Sequence, residues 1–560
     1  MLMSYPVARW LFAYQRKWLR GDVVAGLTAS AVVLPKAMAY ALIAGLPVEA
    51  GLYTAMAAML VYPFLGSSRP LSVTTTSALA MLTAAQVVAI LSDAGGVDAR
   101  AVVATLAFLV GGILVMARIF RLGFVANFIS LPVLVGFEAG VGIAILVGQL
   151  KSVLGVHVTS KTTVGTLLEL PALVPHAHGL TILVASIGIG VLYALPRFFP
   201  RVSAPLAWVG ISIAASAAFG LSQRGVQTVG SVPAGLPAIT LPDFQLVAQL
   251  WPAALAVALM SFTESVAAAR AFWQRDDTPV NANQELLAVG GANFASALLG
   301  GLPAGGGTSQ TAVADKAGAR SQMAQWVGAA TVIVVLLYLS RAIGLLPQAA
   351  LGALIVVVSA SMVKPEAFRA IARVRNTELI WALAAMAGVV LIGTLEGILI
   401  AVALSVLMLL YEANHPPVYA VAYNSDEAVF RRAGENDRDE TFPGLLILRT
   451  EGRLHFANAD NAAEKMNALI SQAQPQVIVL ECSAIPDIEY SALTMLIDAE
   501  KNQRERGVAL WLAAVNPDML KVIERSPLGT TMAQGRIFKN LHKALEAWQS
   551  ADKRIAQAAA

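Results

Sequence analysis

The chain has 560 residues, of which 57% are hydrophobic and only 13% are charged, and its mean hydropathy is +0.67. About a quarter of the residues in an average soluble protein are charged, so this composition argues against a large soluble enzyme, and its many apolar residues argue against disorder. The formal net charge of +4 does not indicate a nucleic-acid partner, because the charges collect at the two ends and in short loops, as in membrane proteins. The single cysteine, Cys482, excludes an intramolecular disulfide and a zinc cluster and is interpreted as a core thiol.

The first segment, residues 1–21, carries Arg9, Arg16, Lys17 and Arg20. It lacks the apolar core and the cleavage site of a signal peptide. We expect it to be an amphipathic segment on the cytoplasmic side of a membrane.

Residues 22–412 are predicted to form a transmembrane domain. A spanning helix needs about 20 apolar residues. The hydrophobic blocks are 22–43, 50–66, 74–92, 99–120, 127–149, 179–195, 204–221, 251–273, 285–301, 308–324, 325–345, 349–363, 378–395 and 396–412. This even number of spans, fourteen, would place both termini on one side. The basic N-terminus and a second cluster mark that side as cytoplasmic, and the cluster consists of Lys364, Arg369, Arg373 and Arg375.

The composition changes after residue 412. Residues 413–443 include a polar, charge-rich stretch and are predicted to be a linker. Residues 444–550 alternate apolar runs of strand type with helical stretches, which predicts a small cytoplasmic α/β domain, and residues 551–560 form a tail.

Two membrane segments, residues 66–77 and 300–310, are interrupted by glycine, proline and hydroxyl-bearing residues. Paired interruptions in the two halves of a membrane domain point to the binding site of a transporter. A helix that begins inside the membrane has unpaired N–H groups and a positive dipole end, which an anion can satisfy. An ordinary loop or tight helix packing is the alternative. The side chains that would add donors are Thr75, Thr76, Ser77, Thr308, Ser309 and Gln310.

Three ionisable residues lie inside apolar spans, where such groups are costly and therefore suggest function. Lys36 follows Pro35, which breaks the helix locally and frees a backbone carbonyl, although a lysine can also reach the membrane surface through its long side chain. Glu264 is in mid-span and could hold or exchange a proton. Glu138 is either part of the coupling machinery or a residue in a polar helix contact.

No enzyme signature is present, because the chain lacks a P-loop lysine motif, an HExxH motif and a GxSxG motif. The histidines lack metal-ligand spacing, so we expect no catalytic residue, no metal and no cofactor.

Several motifs resemble those of the SulP family of anion transporters, which carry a C-terminal STAS domain. They are residues 35–47 with 51–53, residues 229–237, residues 281–286 with 291–293, residues 396–398 and, in the α/β domain, residues 456–458. The resemblance implies two inverted repeats of seven spans, divided into a core and a gate domain. It also implies a homodimer, and it places the chain in a bacterial inner membrane.

In this family the anion site lies between the starts of the third and tenth spans, and the first and eighth spans complete it. Glu264 matches the family's eighth-span carboxylate, which implies a role in proton or cation coupling, with Glu138 as a further coupling candidate. The resulting candidate substrate-binding residues are Lys36, Tyr40, Thr75, Thr76, Ser77, Thr308, Ser309 and Gln310.

The chain departs from the family's pattern at three places. Lys36 stands where glutamine is usual, residues 74–75 are both threonine where Gly-Pro is common, and Glu138 stands where an uncharged residue is common. Some animal members have an arginine at the position of Gln310. We therefore hypothesise that Lys36 supplies the positive charge that Gln310 does not.

Ser491 lies in a strand-to-helix turn of the STAS-like domain. It takes the place of a serine that is phosphorylated in bacterial anti-sigma antagonists, and a phosphate at a helix N-terminus is electrostatically favourable. Capping of the helix is the alternative role for this serine.

The sequence therefore predicts a secondary active transporter of small inorganic or carboxylate anions that works by elevator-like alternating access. Sulfate carried by proton symport is the first expectation, with sodium as another coupling ion. Bicarbonate transport, dicarboxylate transport and anion exchange are the alternatives. A membrane-anchored regulator whose STAS-like domain binds a cytosolic partner is the alternative from a different class. The other expected partner is membrane lipid.

Overall fold

The structure, a computed structural model, describes residues 9–12, 14–93, 98–127, 130–160, 162–200, 202–274, 279–434, 439–532 and 535–559. The chain divides into two units, Met1–Val406 and Leu407–Ala560.

Within the described residues, the first unit consists of α-helices, a few short 3₁₀ helices and one two-stranded sheet. A π-helical turn, Val335–Leu339, joins two of the helices, and the sheet pairs β1 (Val73–Thr74) with β2 (Gly305–Gly306). The helices are, in chain order, α1 (Arg9–Phe12), α2 (Leu19–Ile43), α3 (Val48–Leu65), α4 (Ser77–Asp93), α5 (Ala99–Ile119), α6 (Leu131–Leu154), α7 (Thr163–Leu173), α8 (Gly179–Phe198), α9 (Ala204–Phe219), α10 (Val247–Ala271), α11 (Ala282–Leu298), α12 (Thr308–Lys316), α13 (Met323–Val334), α14 (Ser340–Gly344), α15 (Gln348–Ala360), α16 (Pro365–Val374), α17 (Asn376–Leu391) and α18 (Thr394–Asn414).

Each of the fourteen predicted hydrophobic blocks contains a helix. Among the described residues, eight helices are long and apolar enough to cross a membrane, and four shorter apolar helices have 10–17 residues. The two blocks outside both groups are 285–301 and 308–324, where α11 ends at Leu298 and α12 already ends at Lys316. The number of spans stays a prediction.

Helix α12 ends at Lys316, where the chain turns before α13 begins at Met323. Gly318 has a positive φ of 93°, a conformation that glycine adopts readily. The turn is held by the buried Asp22 of α2, whose Oδ1 accepts hydrogen bonds from the backbone N–H groups of Arg320 (2.6 Å) and Ser321 (3.0 Å). An aspartate near the start of the first long helix is thus a structural anchor for a distant loop.

Helix α2 continues through Pro35, which was expected to break it. Proline has no N–H, so the carbonyl four residues earlier, that of Ala31, loses its helical partner. The hydroxyl of Ser203 donates a hydrogen bond to this carbonyl oxygen at 3.1 Å. The freed acceptor is therefore satisfied by a neighbouring segment, as the apolar surroundings require.

The second unit is built on a mixed sheet, which has six strands within the described residues, in the order β4-β3-β5-β6-β7-β8. Strands β5 to β8 run parallel, whereas β3 pairs antiparallel with both β4 and β5. The strands are β3 (Val418–Asn424), β4 (Val429–Arg432), β5 (Leu445–Thr450), β6 (Val477–Glu481), β7 (Ala509–Ala513) and β8 (Ile537–Phe538). The helices are α19 (Ala459–Ala473), α20 (Tyr490–Glu505), α21 (Pro517–Glu524), α22 (Pro527–Met532) and α23 (Leu541–Ala559).

Two expected boundaries differ from this architecture. The segment 413–443, predicted to be a linker, contributes β3 and β4, because its apolar strand residues pair with the edge of β5. The polar residues on which the linker prediction was based belong to an edge strand and its turns, where polar residues protect a sheet from further pairing. At the other end, α23 runs past residue 550, so the predicted tail begins inside a helix.

The central strand β6 contributes to two hydrophobic layers. Ile478 and Leu480 belong to the layer that contains Cys482, whereas Val479 belongs to the layer with Leu541 of α23. Successive side chains of a strand point to opposite faces, so one strand supports both layers. Cys482 is fully buried, and burial raises the pKa of its thiol, which keeps it unreactive.

A close helix contact in the first unit leads to a stability prediction. A Cβ atom at Gly136 of α6 would overlap the carbonyl oxygen of Ala382 in α17, whereas a Cβ atom at Gly148 of the same helix would meet no heavy atom within 4 Å. We expect Gly136→Ala to lower the free energy of unfolding by about 1–3 kcal/mol through overpacking. Gly148→Ala, the matched control, should leave it unchanged or raise it. Thermal unfolding of the purified variants checks this, and equal midpoints would contradict it.

Candidate functional site

The two interrupted membrane segments meet in the sheet of the first unit. Val73 is paired with Gly306 and Thr74 with Gly305, in antiparallel orientation. Helix α4 begins three residues after β1, and α12 begins two residues after β2. The pairing therefore brings the starts of two helices close together.

Further hydrogen bonds connect the first turn of α12 to the segment around β1. The backbone N–H of Gly307 donates to the carbonyl of Ser72 (3.0 Å), and the N–H of Ser72 donates to the hydroxyl of Thr311 (3.0 Å). The side-chain amide of Gln310 donates to the hydroxyl of Thr74 at 2.6 Å. The amide of Gln310 thus holds the two segments together, in addition to facing the cavity described below.

Helix α10 holds the second interrupted segment in place through hydrogen bonds. The hydroxyl of Ser265 accepts a hydrogen bond from the N–H of Gly306 (2.7 Å), and the hydroxyl of Ser261 donates to the carbonyl of Ala304 (2.6 Å). A Cβ atom at Gly306 would lie 2.7 Å from the Cα of Ser265. Glycine is therefore required at this position by the close approach of the two backbones.

Helix α11 and helix α3 complete this support. Asn293 both accepts from the N–H of Ala304 and donates to its carbonyl, each at 2.9 Å. Ser296 donates to the carbonyl of Leu302 (2.6 Å), and Thr54 accepts from the N–H of Leu302 (2.7 Å). These buried side chains satisfy backbone groups that no regular secondary structure pairs, which a membrane interior demands.

The first segment is held by two buried side chains that the sequence reasoning did not identify. Glu285 of α11 accepts hydrogen bonds from the hydroxyl of Tyr62 (2.9 Å) and from the N–H of Ser67 (2.8 Å). Gln322 donates from its amide to the carbonyl of Ser68 at 2.8 Å. Glu285 lies inside one of the motifs quoted above, but only its partners identify its role as an anchor.

A cavity of about 270 Å³ lies at the two helix starts. It brings together residues of α2, of the start of α4, of α10, of the start of α12, of α6 and of the segment that follows α15. The polar lining residues are Lys36, Tyr40, Thr76, Ser77, Glu138, Glu264, Thr308, Ser309, Gln310, Ser361 and Lys364.

Two charged residues of the cavity are attached to the helix starts. The ammonium group of Lys36 donates a hydrogen bond to the hydroxyl of Ser309 at 2.8 Å. The hydroxyl of Thr76 donates to Oε2 of Glu264 at 2.7 Å and accepts from the N–H of Leu79 at 3.3 Å, so it also caps α4. Lys36 and Glu264 are therefore positioned by the two interrupted segments.

The start of α12 has no side-chain cap: its N-cap residue is Gly307. The first N–H groups of a helix have no partner within the helix, and they carry about half a positive charge. Next to Lys36, this helix start makes a positively charged wall of the cavity, suited to an anion with several acceptor oxygens.

Glu138, the third charged residue predicted inside a span, forms an ion pair with Lys364. Oε2 of Glu138 lies 3.3 Å from Nζ of Lys364, and the side chains are 28% and 56% exposed, respectively. Lys364 had been assigned only to the basic cluster that marks the cytoplasmic side. Its position directly after an apolar block, residues 349–363, is the signal that could have placed it in the site.

Two predicted residues lie elsewhere. Thr75 is buried and is not among the cavity-lining residues, because neighbouring side chains of an extended segment point to opposite sides and Thr76 faces the cavity. Ser491 belongs to the second unit and is the exposed second residue of α20. The N-cap of α20 is Glu489, so capping does not explain the serine.

A membrane unit with two paired helix starts, followed by an α/β unit, defines the class of anion transporters that carry a STAS domain. The model of the sulfate permease family matches residues 19–385, and the model of the STAS domain matches residues 438–544. The chain belongs to the sulfate permease family.

A relative agrees with this assignment, and two solved structures share the fold. A probable sulfate transporter of Mycobacterium tuberculosis (strain CDC 1551 / Oshkosh) is 36% identical over 544 residues, which are 96% of this chain and 96% of the relative. The murine Solute Carrier 26 family member A9 anion transporter, in its inward-facing state, superposes with a TM-score of 0.86 at 22% identity, covering 98% of this chain and 94% of the other. The transmembrane domain of a cyanobacterium bicarbonate transporter, BicA, superposes with a TM-score of 0.61 at 23% identity, covering 70% of this chain and 98% of the other. The structures show a shared fold.

The family assignment confirms the predicted resemblance and the predicted fold class, a polytopic helical membrane domain with a C-terminal STAS domain. The chain is a multi-pass membrane protein that transports anions.

The dual hydrogen bonding of Thr76 leads to a prediction. Thr76→Val removes both the cap of α4 and the donor to Glu264, and we expect it to lower the free energy of unfolding by about 1–2 kcal/mol. Thr76→Ser, the matched control, keeps both hydrogen bonds and should unfold close to the original midpoint. Thermal unfolding of the purified proteins measures the difference. Indistinguishable midpoints for the two variants would show that the hydroxyl carries no such role.

Proposed function

We propose that the chain is a secondary active transporter that carries sulfate together with protons. Its family and its 36% identity to a probable sulfate transporter support sulfate as the substrate. The observation on which the proposal chiefly rests is the contact between Lys36 and Ser309 at the start of α12, because it sets a positive charge beside an uncapped helix N-terminus.

The sulfate would bind in the cavity between the starts of α4 and α12. Lys36 and the N–H groups of α12 would donate to its oxygens, and the hydroxyls of Ser77, Thr308 and Ser309 would add further donors. Sulfate offers acceptors on all sides, so it can use donors that come from several helices. When the anion is bound, the ammonium group of Lys36 would donate to an oxygen of the anion instead of to the hydroxyl of Ser309.

The charges of the site favour a divalent anion. Each helix N-terminus contributes roughly half a positive charge, so that two of them and Lys36 together carry roughly two. Lys364 and Glu138 form an ion pair and largely cancel each other. The remaining charged lining group, Glu264, opposes the anion when it is ionised.

This opposition gives a physical basis for proton coupling. Protonation of Glu264 removes a negative charge from the cavity and keeps the hydrogen-bonding capacity of the carboxyl group toward Thr76. Proton binding and anion binding therefore favour each other, and such a coupling between two sites is reciprocal. A transporter with this linkage accumulates the anion when the proton gradient is directed inward.

For the transport step, we propose an elevator-like movement of a core that contains α2, α4, α10 and α12 past a gate that contains α6 and α15. The hydrogen bonds that join β1, β2 and α10 support a core that moves as one body. The proposal includes two inverted seven-span repeats, a homodimer, a bacterial inner-membrane location and cytoplasmic termini. It also includes regulation of the second unit through Ser491.

Substitution of Lys36 tests the anion site. A hydrogen bond to a charged group contributes about 1.5–3 kcal/mol, so Lys36→Gln should weaken sulfate affinity about tenfold to a hundredfold. Lys316→Gln, at the other end of α12, is the control and should keep the original affinity. Uptake of labelled sulfate into proteoliposomes at several concentrations measures this. An unaltered affinity and pH dependence in Lys36→Gln would refute the assignment of Lys36.

The same proteoliposomes test the substrate. Unlabelled sulfate should compete with labelled sulfate more strongly than bicarbonate or four-carbon dicarboxylates do. Stronger competition by one of those anions would identify that anion, rather than sulfate, as the substrate. The proposed position of the anion site would then still stand.

Substitution of Glu264 tests proton coupling. Glu264→Gln keeps the size and the hydrogen-bonding capacity of the side chain but cannot exchange a proton. We expect it to abolish accumulation of sulfate driven by an imposed proton gradient, while sulfate binding and counterflow persist. Glu366→Gln, on the exposed face of α16, is the control. Retained concentrative uptake in Glu264→Gln, or uptake that follows a sodium gradient in the unaltered protein, would rule out this mechanism.

A further inference from the structure

A second, larger cavity lies among helices α5, α10 and α11, apart from the anion site. It has a volume of about 590 Å³, and none of its lining residues also lines the anion cavity. Every lining residue is apolar, among them Phe108, Gly112 and Ile113 of α5 and Leu255 and Leu259 of α10. We call this cavity the α5–α10 groove.

The walls of the α5–α10 groove are held in place by specific contacts. Gly111 of α5 packs on α11 so closely that a Cβ atom there would lie 3.0 Å from the carbonyl oxygen of Gly290. A short 3₁₀ helix, Leu122–Asn127, follows α5, and the N–H of its Gly123 donates to Oδ1 of Asn283 at 2.9 Å. These contacts fix the helices that line the α5–α10 groove, so its shape is part of the fold.

Exposed apolar side chains border the open side of the α5–α10 groove. Phe120 is 66% exposed, Leu255 is 52% exposed and Met116 is 51% exposed. In a multi-pass membrane protein, exposed apolar side chains of spanning helices face lipid, and an acyl chain can fill an apolar groove there. The occupant is thus expected to have a long hydrocarbon chain.

Two arginines adjoin lining residues of the α5–α10 groove in the sequence. Arg118 lies in the last turn of α5 and Arg121 two residues after its end, interleaved with the lining residues Ala117, Phe120 and Leu122. Neither arginine forms an ion pair within the described part of the chain. A guanidinium group binds phosphate through two parallel hydrogen bonds, so two unpaired arginines beside an apolar groove match the headgroup and chain of an acidic lipid.

We propose that the α5–α10 groove binds an anionic phospholipid, with one acyl chain in the groove and the headgroup phosphate on Arg118 and Arg121. The lipid would contact Leu255 and Leu259 of α10, the same helix that supports β2 through Ser265. The site is a bound-lipid site of the transport domain and is independent of which anion is transported.

Two kinds of variant test the contacts of the acyl chain and the contacts of the headgroup separately. A Cβ atom at Gly112 would have its nearest heavy atom, Cζ of Phe294, at 4.0 Å, so Gly112→Leu can extend into the α5–α10 groove without a backbone clash. Gly190→Leu on α8, where a Cβ atom would meet nothing within 4 Å, is its control. The double variant Arg118→Gln/Arg121→Gln removes the headgroup contacts, and Arg197→Gln, which removes the last-turn arginine of α8, is its control.

The full-length protein and the four variants are purified in mild detergent, mixed with phosphatidylglycerol or phosphatidylcholine, and examined by native mass spectrometry. We expect the unaltered protein and both controls to retain phosphatidylglycerol in preference to phosphatidylcholine by roughly tenfold, the size of effect expected for charged hydrogen bonds. The double arginine variant should lose this preference. Gly112→Leu should reduce the retention of both lipids.

Three results would overturn the proposal. One is equal retention of the two lipids by the unaltered protein. Another is an equal loss of preference in Arg197→Gln and in the double arginine variant, which would indicate general surface charge. The third is displacement of phosphatidylglycerol by millimolar inorganic phosphate, which would indicate a site for free phosphate.

Discussion

The pairing of Val73 and Thr74 with Gly305 and Gly306 is the contact on which the transport domain depends. Inside a membrane every backbone polar group needs a partner from the protein, so a helix can begin there only if the preceding segment is satisfied by something else. Here the two preceding segments satisfy each other, and side chains of α3, α10 and α11 satisfy the remaining groups. The same pairing sets two positively charged helix starts at one cavity, so the contacts that satisfy the backbone also build the cavity proposed to bind the anion.

The charged groups around this cavity have separate roles because their partners differ. Within the described part of the chain, the one hydrogen-bond partner of the Lys36 ammonium group is the hydroxyl of Ser309, so its charge stays available to an anion, whereas Lys364 is paired with Glu138. Glu264 is held by Thr76 at the start of α4, where its protonation state changes the charge that the anion meets. In the mechanism proposed above, the gain or loss of this one proton changes how strongly the site attracts a divalent anion.

Much of the candidate site could be predicted from the sequence because a membrane makes unusual residues conspicuous. Lys36, Glu138 and Glu264 stand out in apolar spans, and the two Gly/Pro-rich interruptions stand out against regular helices. The supporting residues could not be found in this way, because Ser265 and Asn293 are of types that helices in membranes commonly contain. Only the distances to Gly306 and Ala304 distinguish a serine that supports the site from one that merely packs.

The sequence by itself determined that this protein is a polytopic membrane protein with an α/β domain, and where its helices are interrupted. It could do so because hydropathy and glycine or proline punctuation are local properties, read along the chain. Only the tertiary structure decided that the two interruptions pair, that Lys364 reaches Glu138, that residues 418–432 complete a sheet, and that Thr75 lies outside the cavity. These are contacts between residues far apart in the chain, and their geometry comes from packing, which no local pattern encodes.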